Sequence, residues 1–207
     1  MFVYLRMAVR TKHEQEHDTS FISFTCFNWI PLFEITQSYD IVYKWIKLIQ
    51  DKYEVQTHAF VIMPNHVHII MRTPDKGFDL NKMMSNGKRF MAYELVDRLK
   101  LANNLIILDR LSSACTEREK AKGQIHKAFE PSFDAKPIFT TAFLYQKIDY
   151  IHHNPVSGKW SLCADFTAYP HSSAAFYYQE KQHDFVEITD YRDFWVDTVL
   201  VAPRGPR

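Results

Sequence analysis

Runs of alternating and 3.6-periodic apolar positions divide the chain into recognisable elements. From Phe21 to Phe27 the sequence Phe-Ile-Ser-Phe-Thr-Cys-Phe is rich in β-favouring residues and is bounded by Asn28-Trp29-Ile30-Pro31, which predicts a strand. Ile41, Val42, Trp45, Leu48 and Ile49 recur on one stripe of a helix, with Ser38 or Asp40 as its cap. Val55 to Met63 and His66 to Met71 read as two strands joined by Pro64-Asn65, an antiparallel hairpin. Asp79 caps a second helix that buries Leu80, Met83, Met84, Met91, Leu95 and Leu99, although Gly87 in its middle costs about 1 kcal/mol relative to Ala. Leu105 to Leu108 fits a strand or a helix equally, and the charged stretch from Ser112 to Lys127 reads as a surface insertion. Thr140 or Thr141 caps a third helix with Phe143, Leu144, Ile148 and Ile151 inward, stopped by Pro155. A short helix follows Pro170, capped by Ser172 or Ser173.

With 207 residues, 46% of them hydrophobic, and only 5 Gly and 9 Pro, the chain is sized and composed for one folded domain with a true core. We expect a single domain over 1–178, its core at about 20–178, and an acidic tail over 179–207. No apolar run approaches the roughly 20 residues of a membrane span, and Met1 to Arg10 lacks the signature of a secretory signal. Cys26, Cys115 and Cys163 are dispersed, as buried thiols of a reducing compartment are. The net charge of +1 withholds the strongly basic signature of many nucleic-acid binders. Up to Tyr177 there are 21 bases and 18 acids, so a polyanion would be gripped by local patches.

Candidate chemistry concentrates in two segments. In His66-Val67-His68, residues i and i+2 of a strand place two imidazoles on one face while Val67, Ile69 and Met71 anchor the other. That is half of a metal site held on a rigid element. In Asp149-Tyr150-Ile151-His152-His153-Asn154, Tyr150 and Asn154 share one helical stripe that flanks the buried one. A paired-histidine strand with a Tyr-x-x-x-Asn helix suggests metal-assisted phosphoryl transfer with a tyrosine nucleophile. Spacing alone does not bring the two segments together.

These segments resemble the single-tyrosine HUH transposases of bacterial insertion sequences, and most closely the REP-associated tyrosine transposases. Phe21 to Phe33 is similar to the family's opening strand and its Pro-Leu-Phe sequel. Ala59 to Ile70 contains its Met-Pro-Asn-His-x-His signature, and Asp149 to Pro155 with Tyr169-Pro170-His171-Ser172-Ser173 resembles its closing motifs. After Asn154-Pro155-Val156 the chain departs from the family, reading Ser157-Gly158-Lys159-Trp160, and Phe129 stands where the family often has a tryptophan.

The resemblance implies an α+β, ferredoxin-like α/β sandwich with a central antiparallel sheet and helices packed on it. It implies that His66 and His68 bind Mg²⁺ or Mn²⁺, that Asn154 is the third polar ligand, and that Tyr150 is the nucleophile. Its reaction would cleave single-stranded hairpin DNA through a 5′-phosphotyrosine and rejoin it without ATP. Because a phenol ionises only near pH of about 10, the tyrosine would need activation by the metal or a base. Lys88 and Arg89 on the second helix are the candidate DNA contacts. A homodimer in a bacterial cytoplasm, associated with the nucleoid and not with a membrane, is the implied setting. Two other readings of the residues stand beside it: a non-catalytic hairpin-DNA-binding module, and a metal hydrolase using water as nucleophile.

Overall fold

The computed structural model describes residues 18–74, 78–158 and 160–195. Met1 to Arg10, Lys159 and the end of the acidic stretch lie outside the described residues. The elements run in the order β1 (Thr19–Thr25), α1 (Leu32–Ile35), α2 (Tyr39–Tyr53), β2 (Gln56–Met63), β3 (His66–Arg72), α3 (Leu80–Leu101), α4 (Leu105–Ser113), α5 (Glu117–Lys120), β4 (Asp134–Pro137), α6 (Thr141–His153) and α7 (Ala174–Gln179). The strands form one antiparallel sheet in the order β2-β3-β1-β4. With α2 and α3 as the crossovers, the β1-α2-β2-β3-α3-β4 core is a ferredoxin-like α+β sandwich.

The alternation of side chains explains why both faces are covered. Ile22, Phe24, Phe60, Ile62, Val67, Ile69 and Met71 point to one face, where α2 and α3 supply Val42, Trp45, Ile49, Met84 and Leu95. Phe21, Val61, Met63 and Ile70 point to the other, where α6 supplies Leu144, Ile148 and Ile151. Central strands buried on both faces read as nearly continuous apolar runs, as β2 and β3 do. Polar residues at the strand face turned towards α6 are therefore exceptional, and His66 and His68 are two of them.

Two helix starts follow the cap chemistry, whereas Ser38 precedes α2 without a capping side-chain bond. Asp79 accepts from the Lys82 backbone N–H at 2.8 Å, and the Thr140 hydroxyl accepts from Phe143 N at 3.2 Å. Ser173 precedes α7, but its hydroxyl is not a cap: it bonds Phe60 backbone and His152 Nε2, tying the C-terminal segment to β2. Leu48, expected inward on α2, is 52% exposed, because it lies at the edge of the stripe centred on Trp45 and Ile49.

Gly87 is a packing residue rather than a weak point of α3. A Cβ there would run into the Trp45 indole on α2, so the two helices approach each other across it. Alanine normally stabilises a helix interior; here we expect Gly87→Ala to destabilise by ~1–3 kcal/mol, measured by denaturant unfolding, because the indole must move out of a filled core.

The stretch after residue 178 is not a free tail over its described part. Val186 and Ile188 are buried in the main core, Thr189 N donates to Thr57 O, and Gln50 Nε2 donates to Glu187 O. Histidines clasp this segment to β2, through His58 Nδ1 and the Thr189 carbonyl, and its neighbour at 169–173 to α2 and α6. His171 Nδ1 meets the Tyr43 hydroxyl, and His152, fully buried, meets Ser173. Burial holds both imidazoles neutral, their pKa pushed down to about 4. An unfolded histidine titrates at about 6.5, so between pH 6.5 and 4 the unfolded chain binds more protons and stability falls as pH falls. His152 contributes up to ~1.4 kcal/mol per pH unit across that window, and the partly solvated His171 less. Thermal melts should thus lose temperature steeply below pH of about 6 and be insensitive to these groups above it.

Candidate active site

β3 is an inner strand, flanked by β2 and β1, with His68 opposite both Val61 and Ser23 and His66 opposite Met63 and Thr25. Both imidazoles therefore stand on a rigid platform on the α6 side of the sheet. Their ring centroids are 4.7 Å apart. Tyr150, on the last turns of α6, brings its hydroxyl to 3.4 Å from His68 Nε2, across 82 residues of sequence. Phe21 completes the enclosure, stacked on His68 at 5.4 Å and edge-on to Tyr150 at 6.1 Å.

Asn65 orients His66. Its Nδ2 donates to the Trp29 carbonyl at 2.9 Å, which fixes the amide so that its Oδ1 faces His66 Nδ1 at 2.7 Å. An amide oxygen only accepts, so His66 Nδ1 carries a proton, and in the neutral ring this leaves the lone pair on Nε2, the tautomer a metal ligand requires. Were His66 to hold Mn²⁺, Asn65→Ala should weaken that binding about 10- to 100-fold in a calorimetric titration, the usual cost of losing an outer-shell partner.

His68 is held neutral: burial first, then the neighbouring His66 and Lys147, push its pKa down to about 3. Its Nδ1 is buried with no hydrogen-bond partner among the described residues, so no second bond fixes its tautomer as Asn65 fixes that of His66. A pair of imidazoles, His66 oriented by Asn65 and His68 held neutral, facing a half-exposed phenol fits a divalent ion that leaves several positions to phosphate and water. They do not fit a closed structural zinc site: no group of three or more His, Cys, Asp or Glu suited to a metal occurs among the described residues.

Asn154 sits one turn beyond Tyr150, at the C-terminal cap of α6, half-buried. The contacts that join His66, His68 and Tyr150 do not include it. Lys147 joins the site without belonging to any of the motifs. It lies three residues before Tyr150 on the same side of α6, and its ammonium reaches over the rings of Phe21, Phe143 and Tyr150 at 4.8, 5.2 and 5.4 Å. Partial burial and the nearby Lys136 push its pKa down, the condition of a cation short of counter-charge. The i, i+3 relation to Tyr150 was the available signal.

Lys88, expected as a DNA contact, is turned into the fold. It is 8% exposed, and its ammonium donates to the carbonyls of Glu130, Pro131 and Ser132, pinning the segment that leads into β4. A cation satisfied by three carbonyls inside the fold has nothing left to offer a phosphate. Arg89 is exposed on α3, stacked 5.1 Å over Phe90, and lies on the rim of a groove of about 1100 Å³ that Lys82, Lys100 and Lys122 also line. That groove belongs to the layer on the opposite face of the sheet from Tyr150, so Arg89 is not part of the same site.

The chain is similar to a solved structure of a REP-associated tyrosine transposase bound to a REP hairpin. The two are 20% identical, the match covers 92% of this chain and 94% of that one, and the TM-score is 0.54. The likeness establishes a common fold over nearly the whole length of both. No protein-family model and no curated protein matches the chain.

Proposed function

We propose that this chain is a divalent-metal-dependent DNA strand transferase that cleaves and rejoins single-stranded hairpin DNA through Tyr150. The observation that carries the reading is the meeting of His66, His68 and Tyr150 in one pocket from elements far apart in sequence. The shared fold with a tyrosine transposase that was solved with a hairpin supports it. The motifs at His66-Val67-His68 and at Tyr150 to Pro155 add support from the sequence.

His66 and His68 would hold Mg²⁺ or Mn²⁺, with Asn154 as the third polar ligand. When bound, the ion would neutralise charge on the scissile phosphate and polarise it for attack. The protein's own groups do the rest. Tyr150 Oη gives up its proton and bonds to phosphorus; the P–O3′ bond breaks, and the departing 3′ oxygen takes a proton. The products are a 5′-phosphotyrosine and a free 3′-hydroxyl, so the energy of the phosphodiester is retained for rejoining. Lys147 sets a positive charge beside the phenol, where it favours both the phenolate and an incoming phosphate. Phe21 and the flanking aliphatic core keep the His68 side of the pocket dry, which strengthens those charges.

Labelled hairpin oligonucleotide with single-stranded flanks, incubated with the protein and Mn²⁺, tests the reading. Cleavage that stops with chelator and leaves an upstream end extendable by a polymerase is the expected result. Cleavage unaffected by chelator, or ends that carry a 3′-phosphate, would contradict it. No helix among the described residues is long and apolar enough to cross a membrane. A homodimer working on DNA in the bacterial cytoplasm, at the nucleoid, completes the proposal.

A further inference from the structure

Asn28 and Trp29 are consecutive residues in left-handed backbone, with φ of 49° and 56°. A side chain with a Cβ resists this conformation, and a bulky one does so more. The surroundings enforce it. Asn28 N donates to Glu130 Oε1 at 2.8 Å, Trp29 N donates to Cys26 O at 3.1 Å, and the Trp29 carbonyl accepts from Asn65 Nδ2 at 2.9 Å. The result is a tryptophan held out of the core. Its side chain is 58% exposed although it is among the largest apolar groups in the chain, and its ring lies 5.7 Å from His66 at 67°.

Asn65 thus does two things at once: it sets the tautomer of His66 and fixes the turn that presents Trp29. The indole and the catalytic imidazole are built as one unit. The indole meets an imidazole, and the turn that carries it is held by the Glu130 carboxylate and the Asn65 amide. That setting suits a flat ring with polar edges better than the apolar centre of a protein interface. Lys147 stands beyond Tyr150 on the side of the site away from His66, so an aromatic face and a cation bracket the histidines and the phenol. A strand whose phosphate enters this pocket needs both kinds of contact.

We propose that Trp29 is a stacking platform for one unpaired nucleobase of the single-stranded DNA next to the scissile phosphate. The proposal rests on the strand-transfer reading of the same site. Stacking on an indole tolerates any base, so Trp29 holds the strand in place without reading its sequence.

The test uses the full chain carrying Tyr150→Phe, which binds without cutting, and a fluorescein-labelled hairpin with single-stranded flanks followed by anisotropy. Adding Trp29→Ala should weaken binding about 5- to 150-fold, the range for loss of one stacked base, and Trp29→Phe should recover most of it. Trp29→Gly should bind as poorly as alanine yet melt no lower than the parent, because glycine accepts the left-handed turn and the lost side chain is mostly exposed. Alanine binding as tightly as the parent, or a melting loss that tracks the binding loss, would overturn the platform and leave the DNA reading intact. A change from dimer to monomer on sedimentation of the Trp29→Ala protein would assign the indole to a contact between copies and overturn it too. If the Tyr150→Phe parent itself binds no hairpin, the strand-transfer reading fails and the platform falls with it.

Discussion

Tyr150→Phe should abolish the proposed covalent protein–DNA adduct and lower strand cleavage by at least about 10³-fold, while leaving hairpin binding and fold in place; this is the largest effect expected of any substitution. The substitution removes one oxygen. Tyr150 is 46% exposed, and its hydroxyl makes only the long 3.4 Å contact to His68 Nε2, so the change in stability should stay within ~0.5 kcal/mol. Three other phenols are committed elsewhere in the fold. Tyr43, Tyr169 and Tyr177 are buried or half-buried in hydrogen bonds to His171, Ile62 O and His58 O, and burial raises the pKa of each. A denaturing gel of the labelled hairpin reads adduct and cleavage together. Residual cleavage at wild-type rate would assign the attack to water.

The second large effect belongs to His66. His66→Ala should remove metal-stimulated cleavage by more than the about 10- to 100-fold that an outer-shell partner costs, because it deletes one of the two imidazoles that the described residues bring to the site. It should also remove Mn²⁺ binding by the free protein in a calorimetric titration. Its structural cost is smaller, ~1–2 kcal/mol, since the ring is buried at the rim of the sheet rather than within the apolar layers. Comparison with Tyr150→Phe separates the two roles. The phenylalanine variant keeps the ion and loses the adduct; the alanine variant loses both.

Much of this arrangement was legible in the sequence because it is local. Alternation and apolar runs located β1, β2 and β3, Asp79 and Thr140 marked helix starts through hydrogen bonds that span three residues, and the i, i+2 rule put His66 and His68 on one face. What was illegible depends on contacts between distant segments. β4 is four residues, Asp134-Ala135-Lys136-Pro137, with no apolar pattern, and it exists because β1 offers an open edge. α4 hides its helical character because Leu105 and Ile106 are apolar yet exposed. Lys88 looks like a surface charge until Glu130, Pro131 and Ser132 fold over it, and Val186 and Ile188 look isolated in an acidic stretch until they enter the core. The meeting of Tyr150 with His68 is of the same kind. Each residue announces its own chemistry, but only the packing of α6 on the sheet joins them.

The central claim is that Tyr150 becomes bonded to DNA. The most direct measurement is mass spectrometry of the protein after reaction with the hairpin and Mn²⁺, followed by nuclease and protease digestion. The account predicts a nucleotide attached through its 5′-phosphate to the peptide containing Tyr150, in the wild-type chain and not in His66→Ala. Cleaved DNA with a free 5′-phosphate and an unmodified Tyr150 peptide would contradict it.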